Sequence, residues 1–295
     1  MKYLYALLLL LICNAANATT TNLFFFPYRA IHITSDSDTV FRKRSVSVGV
    51  NYGSDVQFFG RTGPVRYPYL SGDAIYNFKA GFFVYGSAVQ VFGYSPVVDE
   101  LDLGAGYLYN YSRVLSGTIS YTRFIFSENA APVIKSASSN DINFRNSFDW
   151  KFAKTSVIFD YLFGDANDYF LTINTSKYIE TAWSIFDDKD YLSFNPTVSV
   201  IFGTQNFVGK YSDEHLEKFN RYPYIPGLSI PPSFDRYNNG RFNTLNYSFK
   251  LPVAYNRPHY TLELSTKYSV PVNVEGALKN HPEVFLNLTF YYLFY

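Results

Sequence analysis

The chain has 295 residues, with 25 Lys and Arg against 24 Asp and Glu, one Cys, one Met, and 20% aromatic residues, mostly 28 Tyr and 29 Phe. Charged residues make up 17%, where about a quarter is usual in a soluble domain, and a formal charge of +1 leaves no electrostatic footprint for nucleic acid. A mean hydropathy of −0.08 excludes a bundle of membrane helices.

At the N-terminus, Met1-Lys2 supplies a positive start, residues 3–12 are an unbroken apolar run, and Ala16-Asn17-Ala18 offers small residues where a signal peptidase cuts. The run is too short to cross a bilayer as a helix, which takes about 20 residues. Residues 1–18 are therefore expected to be a cleaved signal peptide. Ile12 before Cys13 is not the small residue that a lipoprotein signal needs. From Thr19 onward the chain holds no Cys and no Met, so disulfides, thiolate metal sites and thiol catalysis are excluded. Residues 19–44, with Phe24-Phe25-Phe26-Pro27-Tyr28 and Arg42-Lys43-Arg44, are expected to be a periplasmic or lumen-plugging segment.

Beyond residue 44 the dominant period is two. Ile142, Phe144, Asn146, Phe148, Trp150 and Phe152 alternate with Asp141, Asn143, Arg145, Ser147, Asp149 and Lys151, which only a strand can sort onto two faces. The same alternation recurs through Val157–Phe163, Leu192–Val200, Leu245–Leu251, Tyr260–Val270 and Val284–Phe294. The expected strands are 45–60, 71–79, 82–93, 99–111, 115–127, 140–152, 154–164, 168–177, 190–204, 241–252, 258–270 and 283–295. A break near Gly53-Ser54 could split the first of them, and 178–189 is hard to place.

Links alternate in length. Short ones fall near Lys79-Ala80-Gly81, Arg113-Val114, Phe152-Ala153-Lys154 and Tyr255-Asn256-Arg257-Pro258, and long ones at 61–70, 128–139, 205–240 and 271–282. Outer-membrane barrels show this asymmetry, with tight periplasmic turns and longer outer loops. A soluble β-sandwich also alternates, but its strands average about 5–6 residues, whereas the length needed to span a bilayer at a tilt is about 9–11. The terminus Phe290-Tyr291-Tyr292-Leu293-Phe294-Tyr295 resembles the aromatic signature by which bacterial barrels are taken up for assembly. The fold class expected is all-β: a transmembrane antiparallel up-and-down β-barrel over 45–295, of about twelve strands (ten to fourteen), with a long outer loop at 205–240.

Four stretches carry a family resemblance: Ser54-Asp55-Val56-Gln57-Phe58-Phe59-Gly60-Arg61, Gly81-Phe82-Phe83-Val84-Tyr85-Gly86-Ser87-Ala88-Val89, Glu100-Leu101-Asp102-Leu103-Gly104-Ala105-Gly106-Tyr107 and Gly117-Thr118-Ile119-Ser120-Tyr121. From Gly53 onward the N-terminal half resembles the TorF-type porins of Gram-negative bacteria. The resemblance implies an outer-membrane location and a porin role, and it brings no catalytic residues with it.

The polar faces suggest the chemistry. Arg145, Asp149, Lys151, Asp160, Lys250, Glu263 and Lys267 are the expected pore-lining charges, since residues opposite a lipid-facing stripe point into the lumen. A static network filling a closed barrel is the alternative, and twelve strands lie between the filled and the open sizes. The loop 205–240, with Pro223, Pro226, Pro231 and Pro232, either narrows the lumen or stays outside. Within it, Ser212 and the Glu214/Lys218 pair read as a short capped helix with an ordinary ion pair, and a metal site around His215 is not expected.

Of the four His, only His281 lies at the outer rim, with Glu283 close by, and no Ser-centred motif is present. The function expected is a porin-like channel for passive passage of small hydrophilic solutes, not an enzyme, without cofactor or metal. The alternatives are an outer-membrane lipid-modifying enzyme and a closed structural or adhesive barrel. Expected partners are outer-membrane lipid and lipopolysaccharide, the barrel-assembly machinery through the C-terminal strand, and small polar solutes. With basic and acidic residues equal in number from Thr19 onward, strong ion selectivity is not expected.

Overall fold

The computed structural model describes residues 44–206 and 241–294, apart from 64, 95, 132, 133, 135, 137 and 275–277. The expected signal peptide, residues 19–43 of the expected N-terminal segment, positions 207–240 of the long loop and Tyr295 lie outside the described residues.

Fourteen strand segments follow one another: β1 (Ser45–Gly53), β2 (Tyr69–Asn77), β3 (Phe82–Val91), β4 (Glu100–Asn110), β5 (Leu115–Phe126), β6 (Ser138–Asp149), β7 (Lys154–Gly164), β8 (Asp168–Ser176), β9 (Ile179–Glu180), β10 (Tyr191–Phe194), β11 (Thr197–Gly203), β12 (Asn243–Asn256), β13 (Tyr260–Pro271) and β14 (Glu283–Phe294). Each pairs antiparallel with its neighbour, and β1 closes onto β14 from Val46↔Phe294 to Gly53↔Asn287. The segments β8 and β9 form one stave, as do β10 and β11, because both partners of each pair lie in the same neighbouring staves. The result is a closed barrel of 12 staves.

The two interruptions sit opposite each other. Pro196 brings no N–H to the ladder, so the stave expected at 190–204 divides between Phe194 and Thr197. Across the seam the Lys177 N–H donates to the Pro196 carbonyl at 3.2 Å, which leaves the gap bridged.

Polarity is inverted relative to a soluble protein. Outward positions are apolar and exposed: Phe82 is 58% exposed, Leu264 53% and Val50 48%. Inward positions are polar and buried, among them Ser71, Ser87, Asn143, Thr172, Ser199, Asn246, Ser248 and Ser269. An unbroken apolar belt round the whole wall is far larger than the patches that soluble monomers expose, and lipid is the solvent that it suits. At the end that holds the start of β1, outward aromatics pair as Phe148/Trp150 (4.4 Å), Tyr292/Phe294 (4.6 Å) and Phe82/Tyr107 (4.9 Å). Towards the other end, called the loop end below, Tyr161 stacks on Tyr169 at 4.8 Å. Aromatic belts at both rims are what a membrane barrel carries.

The alternating link lengths hold for most of the wall: residues 78–81, 111–114, 150–153 and 257–259 are tight turns, while 54–68, 127–137 and 272–282 are long links at the loop end; the exceptions are the short 165–167 at the loop end and the long 181–190 at the opposite end. One expectation is corrected. The first strand ends at Gly53 and not at 60, because the chain leaves the wall there and turns inward. Replacing Leu264, mid-way along β13 and outward-facing, by Arg puts a charge near the bilayer centre and is expected to cost about 2–4 kcal/mol. Unfolding by urea in lipid vesicles measures this.

Candidate functional site

Segment 54–68 is built to fold back on itself. Asp55 accepts from the Tyr67 N–H and the Thr62 hydroxyl, both at 2.8 Å, while Val56 N–H donates to the Tyr67 carbonyl at 3.0 Å. At the tip, Phe58 and Arg61 exchange backbone hydrogen bonds of 2.8 and 3.0 Å. Phe59 and Gly60 between them have φ of 44° and 77°, so this is a two-residue hairpin with both central residues left-handed, as a type I′ turn requires. Glycine is needed at 60 for a second reason, since a Cβ there would lie 2.3 Å from the Asn246 side chain.

The tip docks far from its own stave. The Phe59 ring stacks on Phe170 of β8 at 3.5 Å between centroids and joins a buried cluster of Leu162, Phe170, Ile201 and Leu245. Arg61, 1% exposed, holds the Gln205 side chain through Nη1, and its Nη2 donates to the carbonyls of Val272 (2.7 Å), Leu245 (3.3 Å) and Asn273 (3.3 Å). Leu245 is available because of a register shift: Ile201 pairs with Asn246 but Phe202 with Thr244, so Leu245 is an extra residue and its side chain enters the cluster. Ser269 also donates to the Gly60 carbonyl at 3.0 Å. The loop thus runs from the β1/β2 side of the loop end to β8, β11, β12 and β13.

Below the loop, the lumen-facing register places the expected charges in separate groups. Lys250 of β12 pairs with Glu263 of β13 at 3.5 Å. Lys267, directly opposite Lys250 in the β12/β13 register, donates to Gln57 of the inward loop and lies 5.5 Å over the Phe285 ring. Arg145 of β6 and Asp160 of β7 are diagonal neighbours, with Asn143 donating to Asp160 at 2.6 Å. Asp149 is the last residue of β6 and accepts from the Lys151 N–H at 2.8 Å. Lys151 itself lies in the exposed turn 150–153 with φ 73°, off the barrel wall.

The charges not singled out from the sequence are Asp73 of β2, Glu100 and Asp102 of β4, and Asp141 of β6, all buried on the inward face. Their parity was visible, because Glu100 and Asp102 alternate with Leu101 and Leu103, and Asp141 shares the polar face of Arg145. The lumen also holds rings over glycines: a Cβ at Gly104 or Gly106 would collide with Tyr85 or Phe83.

At the loop end, Glu283 binds Arg66 and Lys279 at 2.8 Å each and faces His281 Nδ1 at 3.2 Å. This ties link 272–282 to segment 54–68 and places the expected His281/Glu283 pair within an ion cluster. Among the described residues no group of His, Cys, Asp and Glu side chains is arranged to hold a metal ion.

No known family matches the sequence, and no curated protein does. Solved structures of similar shape include a KdgM porin (8% identity, TM-score 0.49, covering 84% of this chain and 99% of that one). A NanC porin matches at 9% identity and TM-score 0.43, over 85% of this chain and 99% of that one. LpxR from Salmonella typhimurium matches at 10% identity and TM-score 0.40, over 85% of this chain and 100% of that one.

Two outcomes test the loop. Arg61→Ala removes a buried cation with its charge-assisted hydrogen bonds, each worth about 1.5–3 kcal/mol, so limited proteolysis is expected to cut within 54–68 at least about tenfold faster while the barrel stays intact. The second concerns pH. Burial holds the Asp55 carboxyl above its ordinary value, against the opposing pull of Tyr67, Thr62, Lys279 and Arg66. A group with a raised pKa in the docked loop binds its proton more readily there, so docking is strengthened as pH falls and loses that support as pH rises through the docked value. Slower loop cleavage by an acid-active protease at about pH 4 than by a matched protease at about pH 7 is expected, and Asp55→Asn is expected to abolish the difference.

Proposed function

We propose that this chain is an outer-membrane channel through which small hydrophilic solutes pass passively, with segment 54–68 setting its narrowest part. The observation that carries the reading is the inverted wall: a closed barrel whose outward residues are apolar and whose inward residues are polar and charged. Water-compatible side chains facing a lumen give a polar solute a path that lipid does not. On this reading Arg145, Asp160, Lys250, Glu263 and Lys267 line the path, Asp149 and Lys151 stand at its terminal-end mouth, and the loop end faces outward.

The narrower likeness to TorF-type porins rests on the four sequence stretches, of which Ser54–Arg61 forms the inward hairpin rather than a strand. Export through residues 1–18, delivery to the assembly machinery by the aromatic β14, and contact of the outward belt with lipid and lipopolysaccharide belong to the same reading.

Single-channel recording of the refolded protein in a planar bilayer tests it. Discrete, reproducible steps are expected, enlarged in Arg61→Ala as the loop loosens. A folded, heat-modifiable protein that never conducts overturns the proposal and favours the closed structural barrel.

A further inference from the structure

The lumen wall formed by β2 to β7 carries a contiguous band of carboxylates. Asp73 lies opposite Ser87, and Ser87 opposite Asp102, in consecutive registers across β2, β3 and β4. Glu100 is two residues from Asp102 on the same face. The band continues through Thr122, which shares a hydrogen bond with Tyr85, to Asp141 directly opposite it, and then through Asn143 to Asp160. On the inward faces of β2 to β5 there is no Lys or Arg; the first lumen cation reached is Arg145.

The band is rich in acceptors and short of donors. Oδ1 of Asp141, Oδ1 of Asn143 and the Ser87 hydroxyl have no hydrogen-bond partner among the described residues, and the Asp102 carboxyl has only the Glu100 carboxyl beside it. All four residues are more than nine-tenths buried, with Asp102 at 0% and Asn143 at 1% exposure. Two of these groups are neutral, so the shortage is not only one of charge. Opposite, the lumen lysines are engaged: Lys250 with Glu263, and Lys267 with Gln57 and the Phe285 ring. Lys267, whose partners Gln57 and Phe285 are neutral, and Arg145 beside Asp160 offset part of the band's field, and the band's carboxyls outnumber these two cations.

Buried carboxylates without donors are costly, and a ligand that brings both positive charge and several N–H donors answers both needs. The acceptors are strung across several strands, and among the described residues no three acidic or His side chains converge on one point. That spacing suits an extended organic cation better than a single metal ion.

We infer that the β2–β7 wall is a binding track for small organic cations bearing primary ammonium or guanidinium groups, and that the channel is cation-selective. This rests on the channel reading above. The test is planar-bilayer recording of the refolded full chain under a KCl gradient, with 1,4-diaminobutane then added to one side. The cation-to-anion permeability ratio is expected to be about 5 or more, falling to about 1–2 in Asp102→Asn/Asp141→Asn. The diamine is expected to block wild-type current, with block weakened about tenfold in the same variant. Conductance that is unselective or anion-selective, or block unchanged by the variant, overturns the inference and leaves the channel reading standing. A folded protein that never conducts overturns both. If the double variant does not fold, the wild-type permeability ratio and the diamine block decide the question alone.

Discussion

Closure of β1 onto β14 is the constraint on which everything else in this molecule depends. Lipid offers no hydrogen-bond partner, so a spanning sheet must satisfy every N–H and C=O within itself, and only a ring does so. Once the ring closes, each residue has two directions available, and the period of two sorts the chain into a lipid set and a lumen set. The unusual composition follows. Aromatic and β-branched residues that would otherwise be core form the outside, and the few charges are concentrated within. Defects in the ladder are tolerated only where something else satisfies the backbone. At Pro196 the neighbouring Lys177 N–H donates to its carbonyl. At the β11/β12 shift the Leu245 carbonyl accepts the Val272 N–H at 2.9 Å, and Arg61 adds a second bond from the inward loop.

That second case explains how a loop can be fixed across a barrel mouth. The carbonyls that Arg61 reaches lie at a bulge and just past the end of β13, where they turn to the inside of the barrel mouth; that of Leu245 also accepts the Val272 N–H at 2.9 Å. A buried guanidinium is stable only when its planar fork is matched by acceptors, and here the irregularities of the wall supply them. The Phe59/Phe170 stack adds apolar area to the same dock. The bulge, the Arg and the left-handed Phe59-Gly60 turn therefore belong to one device, and loss of any one exposes the others.

Much of this was legible in the sequence, and the exceptions have physical causes. Alternation located every stave to within a few residues, because lipid on one side and a polar lumen on the other enforce it along the whole span. It overran at 54–60, where Val56 and Phe58 alternate with polar Asp55 and Gln57 as a wall strand would, although they belong to a loop packed on Phe170 and Leu245 from inside the barrel. Nothing local distinguishes burial against lipid from burial against the opposite wall. Pattern likewise placed Lys151 on the polar face, yet parity ends at the turn, and φ 73° takes it off the strand. Asp73, Glu100 and Asp102 obey the parity rule and were available to it. What pattern could not show is which of them would be left without donors, since that depends on cross-strand neighbours fixed only by register.

Net charge is a poor guide to the field inside such a wall. A solute in the lumen meets each charge at close range and low dielectric, where pairing decides what remains. Lys250 is paired with Glu263 and Lys267 has the neutral Gln57 beside it, while among the described residues Oδ1 of Asp141 has no donor and Asp102 only the Glu100 carboxyl. A chain with balanced charges can therefore present a one-sided lumen, because Glu263 neutralises Lys250, Lys267 is the only other cation on β12 and β13, and β2 to β5 bring no lumen cation to neutralise their several acids. The asymmetry is a property of register: moving β4 by one residue would turn Glu100 and Asp102 to lipid and Leu101 and Leu103 inward, which the bilayer forbids. The membrane that fixes the fold thus also fixes where the donor-poor carboxyls must stand.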